Sequence, residues 1–133
     1  DLHLSIRRQR QMCIRDSLSS EWKTCCIDAG GWTFETPMAS LAMGSQVRLR
    51  VLARDVSIAV EKPDSISIRN RLQAEVEEIA AHLSEPAYQL VKLKCPNGEG
   101  RLVSRILRQS VTELGLHPGS QVWALVKASA VIM

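Results

Sequence analysis

The chain has 133 residues, 45% hydrophobic, 23% charged and 4% aromatic, and 17 Lys and Arg against 14 Asp and Glu leave a formal charge of +3. The charge is dispersed: 5 basic and 4 acidic side chains in residues 1–28, 4 and 3 in 29–62, and 8 and 7 in 63–133. Such dispersal excludes a clustered DNA-binding face or a polybasic membrane patch, and no apolar run approaches the ~18 residues of a membrane-spanning helix.

The stretch Arg7–Ser17 shows neither helical nor strand periodicity in its apolar residues. It resembles translated adapter sequence, so 1–28 is expected to be a disordered or non-native segment without function. Asp1 stands where an initiator Met would, and no apolar region follows the Arg7, Arg8 and Arg10 cluster as a signal peptide requires. Cys13, Cys25, Cys26 and Cys95 contain no C-x-x-C pair and fit scattered thiols of a reducing compartment. His3, His82 and His117 lie far apart, so no metal-cation site is expected.

An internal repeat organises the remainder. Gly44-Ser45-Gln46-Val47 recurs as Gly119-Ser120-Gln121-Val122, an offset of 75 that also matches Leu41 with Leu116, Val51 with Val126, Ala53 with Ala128 and Val56 with Val131. The spacing points to the C-terminal part of a truncated first unit over 29–62, followed by a complete unit over 63–133.

The repeated element reads as β-structure. Val47, Leu49 and Val51 alternate with Arg48 and Arg50, and a second short strand continues from Asp55 to Val60. In the complete unit Leu72, Ala74 and Val76 alternate with Gln73, Glu75 and Glu77, predicting a strand over about 69–82. Further strands are expected over Tyr88–Cys95, ended by the turn signal Pro96-Asn97-Gly98, then over Arg101–Leu107, Gln121–Lys127 and Ala130–Ile132. Ser110-Val111-Thr112-Glu113 has the pattern of a capping box, with Gly115 as the stop of one short helix. The expected fold is all-β: a small OB-like antiparallel barrel with one short helix, preceded by part of a second similar unit.

Three segments match a known pattern. Ser65-Ile66-Ser67-Ile68-Arg69-Asn70 resembles the S-x-R-N signature that opens Mop (molybdate-binding) domains of the TOBE type. Gln109–Leu116 resembles their helix and following turn, and Val126–Val131 their closing K-A-x-x-V strand. The upstream run Val47–Ser57 is similar to the segment preceding that domain in ATP-binding subunits of molybdate ABC transporters.

Molybdate is a tetrahedral dianion with only acceptor oxygens, so its site needs donors and positive charge, without a nearby carboxylate. Ser67 and Arg69, two apart on an extended segment, reach one face. A guanidinium offers a fixed fork of donors, and Lys127 supplies a second cation with backbone N–H groups around Ala128 and Ser129. The resemblance carries the oxyanion-binding role onto Ser67, Arg69, Asn70, Ser110, Lys127 and Ser129, brought together across subunit interfaces. Leu107 stands where relatives tend to have a hydroxyl donor. Plainer roles remain open for each: Ser110 as a helix cap, Arg69 as a solvated or ion-paired side chain, Lys127 as an edge-strand guard against aggregation, and Asn70 as the partner of a backbone group.

No G-x-x-x-x-G-K-[ST] cradle for ATP is present, and no nucleophile–base arrangement is suggested, so no catalytic residue is assigned. The resemblance implies a non-enzymatic molybdate- or tungstate-binding regulatory domain. It further implies a homodimer formed through the Mop domain. The parent would be a molybdate-transporting ATPase with a membrane permease partner, cytoplasmic and peripheral to the inner face of the cell membrane. Alternatives are an OB-fold single-stranded nucleic-acid binder, disfavoured by one Tyr and one Phe, a purely dimerising module, and the Mop domain of a molybdate-responsive regulator or storage protein.

Overall fold

A computed structural model describes residues 3–5, 13–14, 22–37 and 49–132. The strands are β1 (His3–Ser5), β2 (Cys13–Ile14), β3 (Thr24–Ala29), β4 (Trp32–Pro37), β5 (Arg50–Leu52), β6 (Ser57–Ala59), β7 (Asn70–Ala81), β8 (Tyr88–Lys94), β9 (Arg101–Leu107) and β10 (Gln121–Val126). One helix, α1 (Arg108–Leu114), and two 3-10 turns, Ala53–Asp55 and Ala128–Ala130, complete the order.

The principal sheet is antiparallel with strand order β6-β10-β7-β8-β9. Its centre is β7, whose Asn70, Leu72, Ala74 and Val76 face inward and whose Glu77 is left over in a bulge between the Val76–Leu93 and Glu78–Lys92 pairs. Bulges bend a strand and raise its twist. The bend helps β7 serve β10 with one half and β8 with the other. The sheet curls until its two edges meet, with Ser104 on β9 donating its hydroxyl to the carbonyl of Val56, just before β6. That closure makes the expected barrel. Leu72, Ala74, Val76, Val91, Leu93, Leu102, Val122, Ala124 and Val126 are buried in it.

The first unit supplies a hairpin of its own. In β3, Cys25, Ile27 and Ala29 are buried; in β4, Trp32, Phe34 and Thr36 are. Gly30 and Gly31, with φ of 62° and 96°, form the two-residue turn that such a hairpin favours. The expected boundary at residue 28 therefore falls inside β3, and residues 22–28 belong to the fold. Backbone pairing also includes Cys13–Ile14 with β3 and His3–Ser5 with β5. The rest of 1–21 lies outside the described residues, as do Leu41, Gly44–Val47 and Arg48 of the repeat.

The two units are interleaved. Where each 3-10 turn ends, the chain crosses to the other unit: β6 pairs with β10, Leu125 opposite Ser57, while Ile132 bridges to Arg50. These two pairings are the same pairing shifted by the repeat offset. The hairpin turns also dock, with the Gly100 N–H donating to Gly30 O at 2.8 Å. Gly98 approaches that carbonyl so closely that a Cβ there would lie 2.2 Å from it.

Two local expectations are corrected. α1 begins at Arg108 with Leu107 as its N-cap and no side-chain cap, so Ser110 is the third helical residue and the Ser110/Glu113 capping box does not form. The reason is that β9 runs straight into the helix and the Arg108 N–H is already taken by Ala87 O at 2.8 Å. Glu113 instead accepts from Gln109 Nε2 at 3.0 Å. Gly115 ends the helix in the left-handed region, φ 64°. The expected closing strand over 130–132 is a 3-10 turn plus one isolated bridge, because its pairing partner is β5 of the other unit.

Candidate functional site

Arg69 and Lys127 flank the end of the antiparallel β7–β10 ladder. The ladder runs Gln121–Glu75, Val122–Ala74 and onward to Leu125–Arg71 and Val126–Asn70. Arg69 and Lys127 are the next residue on each strand beyond that last pair. Asn70 and Val126 are buried, and Arg69 and Lys127 beside them are exposed, as alternation along an extended chain requires. Ser67, exposed, precedes Arg69 by two residues, and Ser129, also exposed, lies in the second 3-10 turn that begins after Lys127. Among the described residues no hydrogen bond or ion pair involves the Lys127 ammonium or the Ser67 and Ser129 hydroxyls.

The loop leading in is held at several points. Arg71 Nη1 donates to Pro63 O at 3.0 Å, and Lys62 Nζ sits 5.3 Å from the centre of the Trp123 ring. Both contacts lie on the outward face of the β7–β10 pair. Trp32 ties the first unit's hairpin to the same strand, donating Nε1–H to Gln73 O at 2.7 Å.

Asn70 has a different job from the other residues assigned to the site. It is 2% exposed; its Oδ1 accepts the Glu35 N–H at 2.6 Å and its Nδ2 donates to Glu35 O at 2.9 Å. One side-chain amide thus stands in for a neighbouring strand and fastens β4 to the start of β7. Both ends of that amide are used.

Glu35 is the residue sequence reasoning missed. Its Oε1 lies 3.1 Å from Arg69 Nε, with the Glu35 side chain 22% exposed and that of Arg69 64% exposed. The expectation of a set without a carboxylate is corrected by this pair. A sequence signal did exist: Trp32–Pro37 alternates with period 2 behind a Gly-Gly turn, which marks a strand and places Glu35 on its outward face. Nothing in the sequence pairs it with a residue 34 positions away.

Ser110 lies elsewhere. α1 follows Leu107, which pairs with Tyr88 next to the Ala81–Gln89 rung, so it stands at the opposite end of β7 from Asn70. Roughly 35 Å of strand separates the two ends. Within one chain Ser110 does not join Arg69 and Lys127. Leu107, exposed at the helix N-cap, offers no donor.

Glu75, Glu77 and Glu78 are committed to cross-strand ion pairs, with Lys94 at 3.7 Å, Arg101 at 3.1 Å and Lys92 at 3.4 Å respectively. No group of three or more His, Cys, Asp or Glu suited to a metal ion exists among the described residues. None of the described helices is long and apolar enough to cross a membrane.

A family model described as the TOBE domain matches residues 66–133, just over half of the chain. The chain belongs to the TOBE domain family. Its similarity extends beyond the matched domain. It is 42% identical over 118 residues to the molybdenum import ATP-binding protein ModC of Brucella abortus (strain 2308), a match covering 89% of this chain and 32% of that protein. It is 44% identical over 92 residues to ModC 1 of Azotobacter vinelandii, covering 68% and 24%. This TOBE chain thus spans about a third or less of the length of these relatives. The Brucella match is longer than the whole of 29–133, so it reaches into the first 28 residues, in agreement with the buried strand found there. Among solved structures, the cytoplasmic molybdate-binding protein ModG, with molybdate bound, superposes with a TM-score of 0.71 at 23% identity, covering 98% of this chain and 93% of that one. That likeness is one of fold.

Proposed function

We infer that this chain is the oxyanion-binding regulatory part of a molybdate-import ATP-binding subunit. The observation that carries the reading is the position of Arg69 and Lys127, each one residue beyond the terminal Asn70–Val126 pair of β7 and β10, with Ser67 and Ser129 two residues further out on either side. Two cations and two donors lie near that end of the ladder in sequence, and among the described residues the ammonium has no hydrogen-bond or ion-pair partner. The names of the ModC relatives and the ligand of the ModG neighbour supply the anion: molybdate, with tungstate as its near-isostere. A tetrahedral dianion would accept from Lys127, from the guanidinium edge of Arg69 and from the hydroxyls, charge-assisted bonds that rank among the stronger ones available to a protein.

Ser110 enters this reading from a second copy of the chain, because its own α1 stands at the wrong end of β7. The ligand then lies at the interface of a homodimer and favours the assembled state, since it binds that state preferentially. The parent would be an ATPase working with a membrane permease from the cytoplasmic face, and the chain itself a binding module. Asn70 keeps the site in shape from behind, through Glu35, rather than by touching the anion.

Isothermal titration tests the reading. The full chain should bind sodium molybdate at least about tenfold more tightly than sodium sulfate, about 1.4 kcal/mol. Lys127→Ala should weaken molybdate by about 10- to 100-fold. Equal binding of the two salts, or an unaltered affinity in Lys127→Ala, contradicts it.

A further inference from the structure

We propose that Glu35 is an internal competitor for the oxyanion site, a carboxylate that the first unit presents to Arg69 and that sets how tightly, and which, anions bind. This rests on the reading that Arg69 and Lys127 receive molybdate. The contact itself is 3.1 Å between Glu35 Oε1 and Arg69 Nε. A carboxylate oxygen and an oxyanion oxygen seek the same N–H donors, so Glu35 holds part of the guanidinium edge that a ligand would use.

Glu35 is not there by the chance lie of a flexible side chain. Its backbone N–H and carbonyl are both bonded to the side chain of Asn70, which is 2% exposed and immediately follows Arg69 in sequence. The strand carrying Glu35 and the residue carrying the guanidinium are therefore fixed to each other. The second 3-10 turn, which follows Lys127, packs on the same strand β4. Glu35 is thus a first-unit residue built into the edge of a second-unit site, and Asn70 is the positioning residue that keeps it there.

The physical consequence is a penalty that grows with ligand charge. A dianion held by Arg69 and Lys127 sits within a few ångströms of the Glu35 carboxylate, and like charges at that range disfavour one another even in a well-solvated setting. Molybdate must displace the carboxylate from the Nε edge or share the guanidinium through its other nitrogens. Either way the free state is stabilised by a pair that the bound state weakens. The first unit, by this route, tunes affinity in the second.

Titration of the full chain with sodium molybdate, wild type against Glu35→Gln, is the test. Gln keeps the length of the side chain and leaves the backbone bonds to Asn70 untouched, but removes the charge. Affinity should rise by about tenfold in Glu35→Gln, and Glu35→Asp, which retains the charge on a shorter arm, should fall between the two. Binding by Glu35→Gln where the wild type shows none would support the proposal in its strongest form. If the wild type binds and Glu35→Gln binds equally or more weakly, Glu35 is no competitor, and the molybdate reading survives without it. If neither binds molybdate while both remain folded by circular dichroism, the molybdate reading falls and this proposal with it.

Discussion

Val56 and Val131, 75 residues apart, end two copies of one turn. Each donates its N–H at 3.3 Å to an alanine carbonyl three residues earlier, Ala53 in one case and Ala128 in the other. The residues entering the turns, Leu52 and Lys127, share extended backbones, with φ, ψ of −71°, 140° and −62°, 144°. Each valine is buried, and beyond each the chain leaves its own unit to pair with the other. The repeat is thus an exchange of strand ends, and neither unit completes its sheet from its own residues.

β6, which lies outside 63–133, is the edge strand that covers β10 in the principal sheet. Removing the first unit strips β6 from β10 and leaves an open sheet edge, the type of surface that recruits another strand. In hydrogen exchange, the amides of β10 that face β6 should lose protection in a 63–133 fragment while those facing β7 keep theirs. Equal protection in fragment and full chain would contradict the interleaved account.

Asn70→Ala should destabilise the full chain by about 2–4 kcal/mol in urea unfolding. Two hydrogen bonds disappear together, and the Glu35 N–H and carbonyl are left without their partner in a part-buried place. A loss under about 0.5 kcal/mol would show that water replaces the amide freely and that Asn70 does not fasten β4 to β7.

Gly98→Ala should cost about 1–3 kcal/mol, because its new methyl would have to displace the Gly30 carbonyl at the docked hairpin turns. Urea unfolding reads this directly, and a neutral substitution would mean the two turns are not packed as described.

Ser104→Ala should cost about 1–2 kcal/mol, since the fully buried hydroxyl spans the barrel seam to Val56. Lys92→Ala, which breaks only an exposed cross-strand pair with Glu78, should change stability by less than about 1 kcal/mol. Reversal of that order in denaturant titrations would place the seam elsewhere.

The second unit was legible in the sequence because each of its strands carries its own alternation. Expected strands over 69–82, 88–95, 101–107 and 121–127 correspond to β7, β8, β9 and β10 within a residue at each end. The 75-residue offset matched Ala53 with Ala128 and Val56 with Val131, the residues that open and follow the two 3-10 turns, but Asp55–Val60 and Ala130–Ile132 read as strands because local pattern does not tell a closing strand from a turn whose chain crosses to another partner. In the first unit, the hairpin at Cys25–Thr36 was obscured by an atypical run before it, although the Gly30-Gly31 turn and the burial period were both present. Arg69 and Lys127 came from a motif; that they flank one end of the β7–β10 ladder follows from register, which only pairing reveals. Ser110 was misread because a hydroxyl before an acidic residue looks like a cap unless the helix is seen to start earlier. Glu35 stayed hidden because its role depends on a tertiary clasp by Asn70, and local pattern carries no signal for that.

Crystals of the full chain grown with sodium molybdate, measured on either side of the molybdenum absorption edge, would locate the anion without reference to any assumed contact. The account predicts an anomalous peak within hydrogen-bonding reach of both Arg69 and Lys127, with Ser110 of a second copy completing its shell. A molybdenum peak away from those two residues, or none in crystals of the folded protein at saturating molybdate, would contradict it.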